Sequence, residues 1–232
     1  MQNFFIAIAV IFIMLIALYF TSRKRMIGRM KYLNGILNDK HAPDLFLKEI
    51  DKSIEKQRKA LYKSTLNILK AKGLIWKGDW EGCVKLLNTV SPGDILNEFN
   101  SVMWHYNMIF ALLNSDRKDE AFKLISDNLE FLNKNAAGPN KFISNPVKKI
   151  FALKDYYDNK QMKSEEGFNE LNELQTDDFS KAINYYYLGK IDLFYGNEAS
   201  ADEKFQMASQ LGVSSYLPEL IKSESQGSVG HE

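Results

Sequence analysis

Few side chains in this 232-residue chain have a type and spacing that could do chemistry. His41, His105 and His231 could serve as general bases or metal ligands, but none has a second ligand at a recognised metal-motif spacing. Cys83 is the one cysteine, which excludes an intramolecular disulfide framework and a Cys-rich metal site. The acidic pairs Glu165-Glu166 and Asp177-Asp178 offer carboxylates, yet both read as helix openings, where an acid suits the helix dipole. There is no phosphate loop of the GxxxxGK type, no dinucleotide fingerprint, no HExxH, no CxxC and no GxSxG. The expectation is a protein that is not an enzyme, carries no metal and no cofactor, and works by binding.

The most distinctive element is an unbroken run of 17 apolar residues from Phe4 to Phe20, followed by Arg23, Lys24, Arg25, Arg29 and Lys31. As a helix the run spans roughly 25 Å, the short end of a bilayer core, so Asn3 and Thr21 are expected to join the crossing. Twelve of its residues are Leu, Ile, Phe or Val, contributing on the order of −4 to −7 kcal/mol to insertion. A cleaved signal peptide fits less well, because Met1-Gln2-Asn3 has no basic side chain and no small-x-small site follows. With every nearby cation on the C-terminal side, that side is expected in the cytoplasm. The cations read as a topology signal with incidental contact to anionic headgroups.

Beyond residue 31 there are 25 Lys and Arg against 29 Asp and Glu, a mildly acidic balance that argues against a nucleic-acid surface. Five prolines and apolar residues at three- and four-residue steps predict an all-α domain. Residues 1–22 are expected to be a transmembrane anchor, 23–42 a basic juxtamembrane connector, 43–221 a helical domain and 222–232 a disordered tail. Within the domain, breaks at Gly78-Asp79, Ser115-Asp116, Asn159-Lys160 and Gly196-Asn197 divide paired helices into antiparallel hairpins. Residues 133–146, with Gly138-Pro139, read as a polar loop.

A small residue marks the second helix of each hairpin: Cys83, Ala121, Gly167 and Ala201, at spacings of 38, 46 and 34. In the last copy Tyr185, Leu188, Gly189, Gly196, Ala201, Phe205 and Ala208 follow the order aromatic, Leu-Gly, turn Gly, Ala, Phe, Ala. On these residues the chain resembles the tetratricopeptide repeat family, over about residues 60–213. Gly78-Asp79-Trp80 and Asp119-Glu120-Ala121 carry fragments of the same pattern. Lys70-Ala71 in place of Leu-Gly, and Ile109 and Asp155 in place of the glycine, depart from it.

The resemblance implies an α-solenoid of antiparallel hairpins whose first helices line a concave groove. Alignment places Thr65, Ile68, Lys72 and Trp76 there, then Met103, Tyr106, Phe110 and Leu113, then Ile183, Tyr186, Lys190 and Phe194. Such a groove either accepts a peptide or is filled by the helix at 43–56 or by adjacent repeats. Lys72, Asn107 and Lys190 match in part the clamp with which chaperone-binding members hold a C-terminal carboxylate. His105 falls where the repeat packs an aromatic, and Cys83 where it packs a small residue. The leading expectation is a single-pass, membrane-anchored adaptor that docks a protein or peptide at the cytoplasmic face. The alternative is an extracytoplasmic accessory of secretion or envelope assembly with the opposite topology.

Overall fold

The computed structural model describes residues 2–174 and 177–227, with the side chains of residues 2–10, 18–19, 22–23 and 225–227 left aside. Among the described residues there are thirteen helices and no strand. The first helix, α1, runs without interruption over Gln2–Asn38. Among the described residues no helix is long and apolar enough to cross a membrane, and much of the apolar run at 4–20 lies outside the described side chains.

Residues 32–42, expected as a polar connector, are instead helical to Asn38, and Leu33, Ile36 and Leu37 are buried. The apolar positions there repeat at three and four residues and face the core. After a turn at His41, α2 (Pro43–Glu55) folds back along α1, opened by Pro43 at its first turn and burying Phe46 and Ile50. The last turns of α1 and α2 thus form a first hairpin.

Next come α3 (Ala60–Lys77) and α4 (Trp80–Leu87), joined through Gly78 at φ +72°, a left-handed turn that favours glycine. Asp79 caps α4 by accepting from the Gly82 N–H at 2.9 Å, a bond worth about 1 kcal/mol. A short 3₁₀ turn at Pro92–Asp94 leads to α5 (Glu98–Asn114), which packs on both α3 and α4. Its partner is split at Asn128 into α6 (Lys118–Asp127) and α7 (Leu129–Ala136).

The loop expected at 133–146 shrinks, because α7 reaches Ala136 and α8 (Lys141–Tyr157) starts before Pro146. Proline sacrifices one backbone bond there, but the Asn140 cap and the buried Val147, Ile150 and Leu153 hold the helix. The array finishes with α9 (Gln161–Leu174), α10 (Asp178–Phe194), α11 (Glu198–Leu211) and α12 (Leu217–Gly227). Lys222–Gly227, expected to be disordered, is therefore helical, and residues 228–232 lie outside the described part.

Small residues set the hairpin spacing. A Cβ at Gly189 would stand 2.7 Å from the Phe205 ring, and one at Gly73 only 2.5 Å from that of Phe46. Cys83, Ala121 and Ala201 are each fully buried at a helix contact. The first helices of successive hairpins then curl until the two ends meet. Trp76 of α3 lies 4.3 Å, centroid to centroid, from Phe179 of α10.

Candidate functional site

The face aligned as the groove, for which an open and a filled form were both expected, is largely enclosed. Thr65, Ile68, Trp76, Asn107, Phe110, Leu113, Ile183 and Tyr186 are buried, while Lys72, Met103, Tyr106 and Lys190 are half-buried. Phe194, at 64 % exposure, is the member that stands clear in solvent. Of the two alternatives, the structure has the filled one.

Phe46 of α2 covers α3 at Gly73, beside this face. The filling comes from the end of α1 and the turn after it, where Asn38 accepts from Lys72 and His41 stacks on Trp76 at 6.0 Å, and from the C-terminal segment. The Tyr216 N–H donates to the Trp76 carbonyl at 3.0 Å, and its ring lies edge-on to Trp80 at 4.7 Å and to Phe179 at 6.4 Å. From there α12 crosses α10, where Glu224 accepts from the Tyr186 hydroxyl and the Lys190 ammonium, each at 3.0 Å.

The three residues that partly match a carboxylate clamp are engaged separately. Lys72 donates to Asn38 Oδ1 at 2.9 Å, Asn107 Nδ2 donates to the Ile68 carbonyl at 3.0 Å, and Lys190 is held by Glu224. His105 takes a packing role, with Nδ1 2.8 Å from the Ser101 carbonyl and its ring against Trp104 and Phe131. Cys83 is fully buried, and burial pushes its thiol up to about 12, far from a reactive thiolate. Glu165-Glu166 lie inside α9 rather than opening it, whereas Asp177 does cap α10 by accepting from the Ser180 N–H at 3.0 Å.

The start of α10 also meets two lysines, Lys149 of α8 and Lys72 of α3, in a charge cluster that sequence reasoning missed. Lys149 is 1 % exposed and donates to the Ser180 carbonyl at 2.9 Å. Burial lowers its amine to about 7, with Asp177 opposing the shift and Lys72 adding to it. Burial likewise lowers Lys72, again opposed by Asp177. Burial would raise the Asp177 carboxyl, but the two lysines and the Ser180 hydrogen bonds carry it below its ordinary value.

One signal for this cluster was present in the sequence: Asn145, Lys149 and Ala152 share one buried stripe of α8 at helical spacing. A partly neutral amine is a competent nucleophile in principle. At 1 % exposure, however, Lys149 is closed to a substrate in this conformation. Tyr156, Tyr157 and Tyr187 lie beyond it, the Tyr187 ring stacked on Phe168 at 5.3 Å and its hydroxyl 3.4 Å from those of Tyr157 and Asn114 Oδ1. Burial raises all three phenols, that of Tyr156 to about 12.

Among the described residues, no three His, Cys, Asp or Glu side chains lie together as a metal site. Among the open features of the described residues are the exposed end of α10, where Leu193, Phe194 and Tyr195 stand together, and a basic cleft between α1, α2 and α3. No protein-family model, curated protein or solved structure matches the chain.

Proposed function

We propose that this chain is a single-pass, membrane-anchored scaffold of tetratricopeptide-like hairpins that docks a protein partner at the cytoplasmic membrane face, without chemistry of its own. The observation that carries the reading is the continuity of α1. One helix leads from the apolar run at 4–20 into the core, where Leu33, Ile36 and Leu37 are buried and Asn38 accepts from Lys72. Anchor and scaffold then form one rigid unit, which would hold a partner at a set height and orientation above the bilayer. A flexible tether would set only a radius.

The repeat kinship is supported by the last hairpin, where Phe205 sits over Gly189, Gly196 takes the left-handed turn at φ +75° and Ala201 is fully buried. The filled inner face moves the partner surface to the exposed end of α10, where aromatic side chains are typical binding anchors. Placing a photo-crosslinking residue at Phe194 of the full chain in intact membranes tests this. A discrete crosslinked protein, absent when the crosslinker is placed at Lys85 and lost with Leu193→Ser and Tyr195→Ser, is expected. Identical products at both positions would refute the docking site. Release of the chain by alkaline carbonate would refute the anchor.

A further inference from the structure

Where α1 leaves the apolar run, it forms an open cleft of about 990 Å³ with the end of α2 and the start of α3. Arg25, Arg29, Lys52, Lys56 and Lys59 line it, against the single carboxylate of Glu49. That carboxylate is already committed. Arg29 reaches it at 2.9 Å and Lys52 at 2.6 Å, and Arg29 also donates to Ser53 Oγ at 2.9 Å. Those hydrogen bonds, Lys52's first and Arg29's next, hold the Glu49 carboxyl down to about 2, so it remains charged and paired.

Arg25, Lys56 and Lys59 are different. Among the described residues, no carboxylate lies within 4.0 Å of any of them. They come from two separate elements, α1 and the α2–α3 turn, and the fold brings them to one wall. Solvent screens their mutual repulsion, Lys59 also stands 5.8 Å from the Tyr62 ring centroid, and a bound anion would lower the repulsion further. The cleft also abuts the start of α3, whose first turn has no side-chain cap and so presents the positive end of a helix dipole.

We infer that this cleft binds the phosphate-bearing headgroup of an anionic phospholipid, with Arg25, Lys56 and Lys59 as its contacts. The inference rests on the anchor reading for its geometry. Arg25 lies five residues past Phe20 on an unbroken helix, which places it roughly 7 Å beyond the apolar run. That distance is the depth of the headgroup layer when residues 4–20 occupy the hydrocarbon core. Met26, Met30 and Leu66 line the same cleft and provide an apolar floor suited to the glycerol and upper acyl chain. A free phosphate would have no use for that floor.

The test uses the full chain in phosphatidylcholine bilayers containing a trace of spin-labelled phosphatidylglycerol or spin-labelled phosphatidylcholine. The wild type is expected to prefer the anionic lipid by at least about tenfold, given three cations near the surface. The triple variant Arg25→Gln, Lys56→Gln, Lys59→Gln is expected to reduce that preference to near unity with helix content unchanged. The control triple Lys123→Gln, Lys134→Gln, Lys163→Gln removes the same charge from α6, α7 and α9 and is expected to keep it. No preference in the wild type, an unchanged preference in the cleft variant, or an equal loss in the control would each overturn the inference. Displacement of the lipid by millimolar inorganic phosphate would overturn the lipid assignment in favour of a free anion. Carbonate extraction of the same bilayers separates the two readings: release of a chain that had shown the preference would remove the anchor but leave the headgroup site, and retention without preference would do the reverse.

Discussion

The first and last hairpins of the array are the same supersecondary unit built with opposite chemistry. The last, α10–α11, is closed chiefly by shape: Gly189 admits the Phe205 ring, Ala201 and Ala208 are fully buried, and an ion pair, Lys204 of α11 on the buried Asp192 of α10, joins the two helices. In the first, α1–α2, Leu33, Ile36 and Phe46 seal the inner end. At the other end Arg29 of α1 is tied to Glu49 and Ser53 of α2, Glu49 also takes Lys52, and the basic cleft lies beside this polar network. Apolar closure is stable because it removes area from water, whereas exposed ion pairs contribute little to stability but set where charge stands. A sealed hairpin serves the fold. An open, charged one is available to a ligand.

This contrast can be broken most severely at the N-terminal hairpin. Deleting residues 1–38 removes Leu33, Ile36 and Leu37, each worth about 1.5–3 kcal/mol of burial, and is expected to cost far more in urea unfolding than deleting 1–27. Equal midpoints for the two truncations would mean that α1 is only an anchor. Ala201→Arg attacks the sealed hairpin by forcing a charge into a contact with no free volume, at an expected cost of at least about 4 kcal/mol. Circular dichroism should then show loss of the cooperative transition.

Phe110→Ala and Tyr186→Ala test whether the inner face is core. Each is expected to lose about 3–5 kcal/mol in chemical denaturation, because Phe110 is fully buried against Trp80 and Tyr106, and Tyr186 is buried and held by Glu224 of α12. A loss of less than about 1 kcal/mol in both would restore the open groove.

A smaller effect concerns protons. The Lys149 amine titrates near 7 in the fold and at 10.5 when free, so between those values the folded state holds fewer protons than the unfolded chain. Stability should therefore rise with pH over that window, by about 2 kcal/mol from pH 7 to 9. Above pH 10 the raised phenols of Tyr187 and Tyr216 reverse the sign, because they keep protons that the unfolded chain loses. Lys149→Met is expected to flatten the rise, and an unchanged profile would remove Lys149 as its source. The least effect is expected from Glu49→Gln, which loosens the open hairpin at a solvated ion pair. Its melting temperature should stay near wild type while phosphatidylglycerol preference rises, since one competing carboxylate is gone.

Much of the fold was legible in the sequence because local signals and tertiary need agree there. Gly78 and Gly196 mark turns that require positive φ, Asp79 and Asp177 cap the helices they precede, and the apolar stripes of α3, α5 and α10 carry the helical period. The failures share one cause. Residues 32–38 and 222–227 look polar by composition, and each is ordered by a few contacts far along the chain: Leu33, Ile36 and Leu37 in the core, and Glu224 on Lys190. A single apolar residue per turn is too weak a local signal to announce a helix.

By itself, then, the sequence determined the helical class, the hairpin breaks, the apolar run with its cations, and the small residues at close contacts, because each depends on neighbours within a few positions. Only the tertiary structure decided that the inner face is occupied by the end of α1 and the chain's own C-terminal segment, that Lys72, Lys149 and Asp177 share one buried site, and that the cations of α1 meet those of the α2–α3 turn. The first two outcomes depend on how far the stacked hairpins curl, and the third on how α1, α2 and α3 pack on one another. Curvature accumulates from small rotations at every contact, and no local stretch of sequence encodes the sum.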